Sequence, residues 1–225
     1  MRCTSRSMRM NLNEASVNVN FCDRENFSEK PEEIMLLSMS ILSASSALHV
    51  LPKTGGTFVR GTDALMCPKA HGTTANAVAP RIRWGCDRGL ADWCCCFNRQ
   101  MAEPGGYWKT VQFLSDISSS STPVIFYDSV SQLPLFVAPV NRSLTAFLKE
   151  TDEHGWPSFR DDEVVWENVR VLPDGETVSV GGTHLGHLIP DETGRPRYCI
   201  NLVCVAGQPR PALSEDAFRH ALRGL

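Results

Sequence analysis

The feature that most constrains this chain is a succession of short apolar runs, separated by turn signals, between residues 123 and 208. Val124-Ile125-Phe126-Tyr127 is β-branched and aromatic, and Leu133-Pro134-Leu135-Phe136 follows after a turn. Val164 to Leu172 and Glu176 to Val180 are strand expectations joined by Pro173-Asp174-Gly175, a turn in which Pro presets φ and Gly tolerates a positive one. Arg197 to Val205 is the clearest strand, alternating with period two. Helical signals are sparse. Ser143 is placed to cap a short helix carrying Leu144, Phe147 and Leu148, and Ser214 a terminal one that stops at Gly224. Strands dominate, and the fold class expected is antiparallel, mainly β (a β-rich α+β).

The 225 residues suit one domain with extensions. Residues 1–53 read as a leader to be set apart from the fold. Within it, Ile34 to Val50 is apolar but too short and Ser-rich for a membrane span. Read from Met35 it resembles a cleaved targeting segment closed by small residues, which would lead to an organelle or the secretory route; a disordered leader is the alternative. Residues 54–122 hold five cysteines (Cys67, Cys86, Cys94, Cys95, Cys96) and end in a serine run, as an upstream segment packing on the core. The β core is expected over 123–208 and a helix over 209–225. A net charge of −3 supplies no field for phosphate backbones and disfavours nucleic acid as partner. Nine cysteines is an odd number and too sparse for a disulfide framework, so at least one thiol is free or paired with another molecule. The nine acids between Glu150 and Glu176 read as a solvated rim.

Along the last strand, Tyr198, Ile200, Leu202 and Cys204 share an apolar face, while Arg197, Cys199 and Asn201 share the other. A neighbouring guanidinium favours the thiolate, the reactive form of cysteine. Cys199 therefore reads either as small core filling or as a reactive thiol. His184 and His187, in Gly182-Thr183-His184-Leu185-Gly186-His187, converge in a short irregular strand or tight turn, to shuttle protons, bind metal or hold a loop. Gly155-Trp156-Pro157-Ser158-Phe159 offers two aromatic faces, for a core corner or a pocket wall.

In the order GWPSF, GTHLGH, RYCIN within about fifty residues, these segments resemble the B-type methionine sulfoxide reductases, which reduce the R epimer of methionine sulfoxide. The resemblance covers residues 154–206 and extends more loosely back to 123. It implies two antiparallel sheets with short peripheral helices. By that resemblance Cys199 is the nucleophile, His184 and His187 supply a proton or orient a water, and Asn201 and Arg197 order the site. By the same resemblance Trp156 walls the pocket for the substrate's methyl group, and Arg197 and Phe159 join it as substrate-binding residues. The implied protein is a monomer that needs no cofactor, acts on free or protein-bound oxidised methionine, and is regenerated by thioredoxin or a small thiol.

The chain departs from the family pattern at the structural zinc. Asp128, Ser131, Val178 and Gly181 stand where the two Cys-x-x-Cys pairs are expected, so that site is lost and the hairpins are expected to be held by packing alone. Cys67, Cys86 and Cys94–Cys96 lack the paired spacing that would rebuild it. The second thiol of the cycle is expected at Cys96 or Cys94, because Cys204 points away from Cys199 in a regular strand; direct reduction by a small thiol remains open. A member of the family that has lost turnover and binds oxidised or methionine-bearing partners is the alternative function.

Overall fold

Turn chemistry decides where the strands stop. The computed structural model describes residues 58–120 and 123–209; the leader and the helix capped by Ser214 lie outside the described residues. Strands β1 (Val124–Tyr127) and β2 (Pro134–Ala138) form an antiparallel hairpin. A second antiparallel sheet contains β3 (Ser158–Phe159), β4 (Val169–Val171), β5 (Glu176–Ser179), β6 (His184–Leu188) and β7 (Tyr198–Ile200), in the order β3-β7-β6-β5-β4. Short helices α1 (Arg88–Asp92), α2 (Phe113–Ser119) and α3 (Leu144–His154) pack around them. The protein is thus strand-rich α+β with two antiparallel sheets, as the sequence indicates. Among the described residues no helix is long and apolar enough to cross a membrane.

Ser143 caps α3 through its hydroxyl, which accepts from the Ala146 amide. The five fully buried phenylalanines, Phe113, Phe126, Phe136, Phe147 and Phe159, join both sheets, α2 and α3 in one apolar cluster. Burial of each such ring contributes about 1.5–3 kcal/mol relative to exposure. Phe136 and Phe159 stack with centroids 4.3 Å apart, and Phe126 meets Phe159 edge-on at 4.9 Å.

Two strand expectations are shortened. The run from Val164 is split: Val164 bridges to Phe136 of β2, a turn closes from the Val165 carbonyl to the Asn168 amide, and only Val169–Val171 enters the large sheet. The expected strand Arg197–Val205 ends at Ile200, and Leu202–Cys204 turns into a 3₁₀ helix. The cause is tertiary. The buried Glu103 carboxylate accepts from the Leu202 amide at 2.6 Å, and Ser129 Oγ donates to the Val203 carbonyl while accepting from the Ala206 amide. These partners satisfy the backbone that a ladder would otherwise serve.

The acidic stretch is a solvated rim only in part: Asp152, Glu153, Glu167 and Asp174 are exposed, but others are not. Glu163 and Glu176 are buried, Arg142 bridges Glu150 and Glu163, and Arg160 bridges Glu150 and Asp191. Nor are the hairpins held by packing alone. Where zinc ligands were expected, the fully buried Asp128 accepts from the Val130 amide at 2.8 Å, Ser131 Oγ at 2.7 Å and Thr183 Oγ1 at 3.0 Å. A carboxylate–hydroxyl cluster ties the β1–β2 turn to the β5–β6 turn.

Candidate active site

The site forms where three strands bring their polar faces together. In the β7 register Cys199 lies opposite Ser158 of β3 on one side and His187 of β6 on the other. Strand β6 is irregular: Gly186 pairs with Thr177 but His184 with Val178, which inserts an extra residue. Gly186 makes this possible. Its φ is +152°, and a Cβ there would lie 2.1 Å from the Cys199 carbonyl oxygen. Only glycine lets β6 approach the backbone of Cys199 so closely. The two histidine rings consequently sit 5.4 Å apart, edge to face.

Cys199, His184, His187, Asn201 and Trp156 line one solvent-open cleft of about 170 Å³, together with Gly186, Ile189 and the segment Gln100-Met101-Ala102. Such a volume, below the about 300–1,000 Å³ typical of drug-sized ligands, suits a single side chain. Met101 and Ile189 are exposed and give the rim an apolar character. Trp156 is fixed by its indole N–H, which donates to the Glu103 carbonyl at 2.9 Å.

Burial pushes the Cys199 thiol up; the Arg197 guanidinium, in charge contact and hydrogen-bonded to it, opposes that rise without cancelling it. The resting thiol is therefore less acidic than the sequence indicated. Arg197 is itself buried, reaching Ser158 Oγ at 3.4 Å, and its Nε has no partner among the described residues. The Asn201 amide nitrogen, also buried, makes no hydrogen bond beyond a weak contact with the Cys204 sulfur. It is an unsatisfied donor in the residue that lines the cleft two places beyond the thiol.

His184 Nδ1 lies 2.8 Å from Glu176 Oε1, and Arg99 donates to Glu176 Oε2 from Nε at 2.8 Å. Burial would raise the Glu176 carboxyl, but hydrogen bonds from His184 and Arg99 outweigh it and hold it low. An ionised carboxylate only accepts, so Nδ1 carries the proton and Nε2 is left for chemistry. Burial, and then the nearby His184, push the His187 pKa down, which keeps that ring neutral at physiological pH. Glu176→Gln is expected to free the His184 tautomer, so that the ring samples both N–H positions. Nitrogen NMR shifts of the His184 imidazole check this.

Glu103 acts on the thiol through its charge. Burial raises its pKa to about 7, and its negative charge raises that of Cys199. Glu103→Gln is expected to lower the Cys199 pKa, read as a shift of the pH–rate curve for iodoacetamide alkylation toward lower pH. An unmoved curve would remove Glu103 from the site.

Three sequence expectations are not brought together here. Phe159 does not line the cleft: in β3 it pairs with Tyr198 and faces the core, while Ser158 takes the thiol side. Cys94 and Cys96 are buried away from the cleft, and burial raises both pKa values to about 12. Cys204 instead meets Cys95, with sulfurs 2.7 Å apart in the core. Arg99, Glu103 and Glu176 are the residues sequence reading missed as parts of the site. No protein-family model matches the chain.

Proposed function

We propose that the protein is a methionine-R-sulfoxide reductase with Cys199 as nucleophile, needing no cofactor and regenerated by thioredoxin or a small thiol. The observation that carries the reading is the convergence of a half-buried thiol, two histidines, an unsatisfied amide donor and an indole on one side-chain-sized cleft. The Cys199 thiol attacks the sulfoxide sulfur, and its proton passes to the sulfoxide oxygen by way of His184 Nε2 or a water held by His187. The S–O bond then breaks and the oxygen passes to Cys199, leaving methionine and Cys199 sulfenic acid. Methionine sulfoxide gains two electrons, and the cysteine sulfur loses two. Asn201 orders the wall of the cleft beside the thiol, and Trp156 supplies the apolar wall for the methyl group.

Among the described residues no second cysteine lines the cleft. An external thiol accordingly condenses with the sulfenic acid, releasing water, and a second thiol resolves the mixed disulfide. Cys94→Ser and Cys96→Ser are therefore expected to turn over normally with either dithiothreitol or thioredoxin. Loss confined to the thioredoxin assay would assign the missing role to that cysteine.

The deciding experiment supplies each epimer of methionine sulfoxide with dithiothreitol. Consumption of the R epimer alone is expected. A folded protein that turns over neither epimer would overturn the reading in favour of a binding module.

A further inference from the structure

We propose that His71, Asp92 and Cys96 form a site for a borderline divalent cation of the zinc class. It lies in the upstream segment, and none of the three residues lines the Cys199 cleft. His71 Nε2 is 2.9 Å and 3.0 Å from the two Asp92 oxygens, and Cys96 Sγ is 3.9 Å from Asp92 Oδ1. One donor atom from each residue falls within 4.8 Å of the others.

The local fold assembles these donors rather than merely tolerating them. Asp92 ends α1, and the chain then enters a π-helical turn, Trp93–Phe97. Residues four apart on such a segment share a face, which aligns Asp92 with Cys96. His71 comes from a small loop closed by reciprocal backbone bonds with Thr74. That loop is fastened to the π turn: the Thr73 amide donates to the Cys96 carbonyl at 2.8 Å, and Thr73 Oγ1 donates to the same oxygen at 3.2 Å. Gly72 is required for the approach, since at φ +60° a Cβ there would lie 2.0 Å from that oxygen. The Val78 amide holds Asp92 Oδ1 at 2.9 Å.

Donor chemistry selects the metal. An imidazole, a carboxylate and a thiolate form a mixed set that suits zinc or cobalt, whereas calcium and magnesium take oxygen. Tetrahedral zinc, with bonds of about 2.0–2.3 Å, spaces its donors about 3.3–3.7 Å apart. The His71–Asp92 pair lies inside that spacing, and Cys96, 3.9 Å from Asp92 and within 4.8 Å of His71, lies outside it, so binding draws the Cys96 side chain inward. Cys96 is fully buried, while the His71 and Asp92 side chains are 29% and 24% exposed, so a water has access to the fourth position. Binding releases the Cys96 proton and strengthens as pH rises.

The test is a cobalt titration of the chelator-treated full chain carrying Cys199→Ser, so that the cleft thiol cannot contribute. One equivalent is expected, with a near-ultraviolet sulfur-to-cobalt band that zinc displaces. Cys96→Ser in that background should lose the band, and His71→Ala, on a surface loop, should weaken cobalt binding at least about tenfold. Absence of the band, or its persistence undiminished in both variants, overturns the proposal. Neither result bears on sulfoxide reduction.

Discussion

Cys199→Ser is expected to abolish reduction of methionine-R-sulfoxide, by at least about a thousandfold in kcat, as loss of a covalent nucleophile does elsewhere. The reason is electronic rather than steric. Serine has nearly the same shape, but its hydroxyl does not ionise near neutral pH, and oxygen has no counterpart of the sulfenic acid state. Because Cys199 is only half-buried and its β7 backbone pairs with β3 and β6 on either side, the fold should survive. Thermal melting should therefore stay close to that of the parent while turnover disappears. Substrate affinity, measured by equilibrium binding, should change little, since Trp156 and Asn201 are untouched. Retained activity would dismiss Cys199 as the nucleophile. On the proposed reading, sulfoxide reduction by the parent protein is expected to quicken as pH rises, because burial outweighs Arg197 and leaves the resting thiol protonated at neutral pH.

How much of this was readable in advance follows from the range over which each signal acts. Period-two alternation is local, so it places Arg197 and Cys199 side by side in effect and puts Tyr198 and Ile200 in the core. Glycine is equally local, and the irregular strand around Gly186 follows from it. The end of β7 was not readable, because it is set by Glu103 and Ser129, which lie 99 and 74 positions upstream of the residues they hold. The same holds for the orientation of His184, which depends on Arg99 acting through Glu176. Phe159 illustrates a different failure: β3 is two residues long, and no periodicity exists in so short an element to tell its core side from its cleft side. Glu150, Glu163 and Glu176 look solvated only while their arginine partners, Arg142, Arg160 and Arg99, remain unplaced.

Asp128→Ala carries the largest expected loss of stability, about 3–5 kcal/mol, or roughly 10 °C in melting temperature. The carboxylate is fully buried and takes hydrogen bonds from the Val130 amide, Ser131 and Thr183. Truncation removes their acceptor; Thr183 is itself buried, so its hydroxyl is left in a place water does not reach. Such a loss is a large part of the about 5–15 kcal/mol that holds a domain together. Asp128→Asn keeps one acceptor oxygen and should cost less, by an amount that depends on pH. Burial raises the Asp128 pKa above its ordinary 3.8, against the opposing hydrogen bonds, so the folded state holds the proton more tightly than the unfolded state. Stability contributed by that proton is complete below 3.8 and is lost as pH rises through the folded value. The asparagine variant lacks this decline, so its deficit relative to the parent should narrow between acidic and neutral pH. Urea denaturation of both proteins across that interval measures the difference, and a deficit independent of pH would mean that Asp128 is ionised throughout. The same carboxylate that replaces the expected metal ligands would then bind the two turns as a permanent charge.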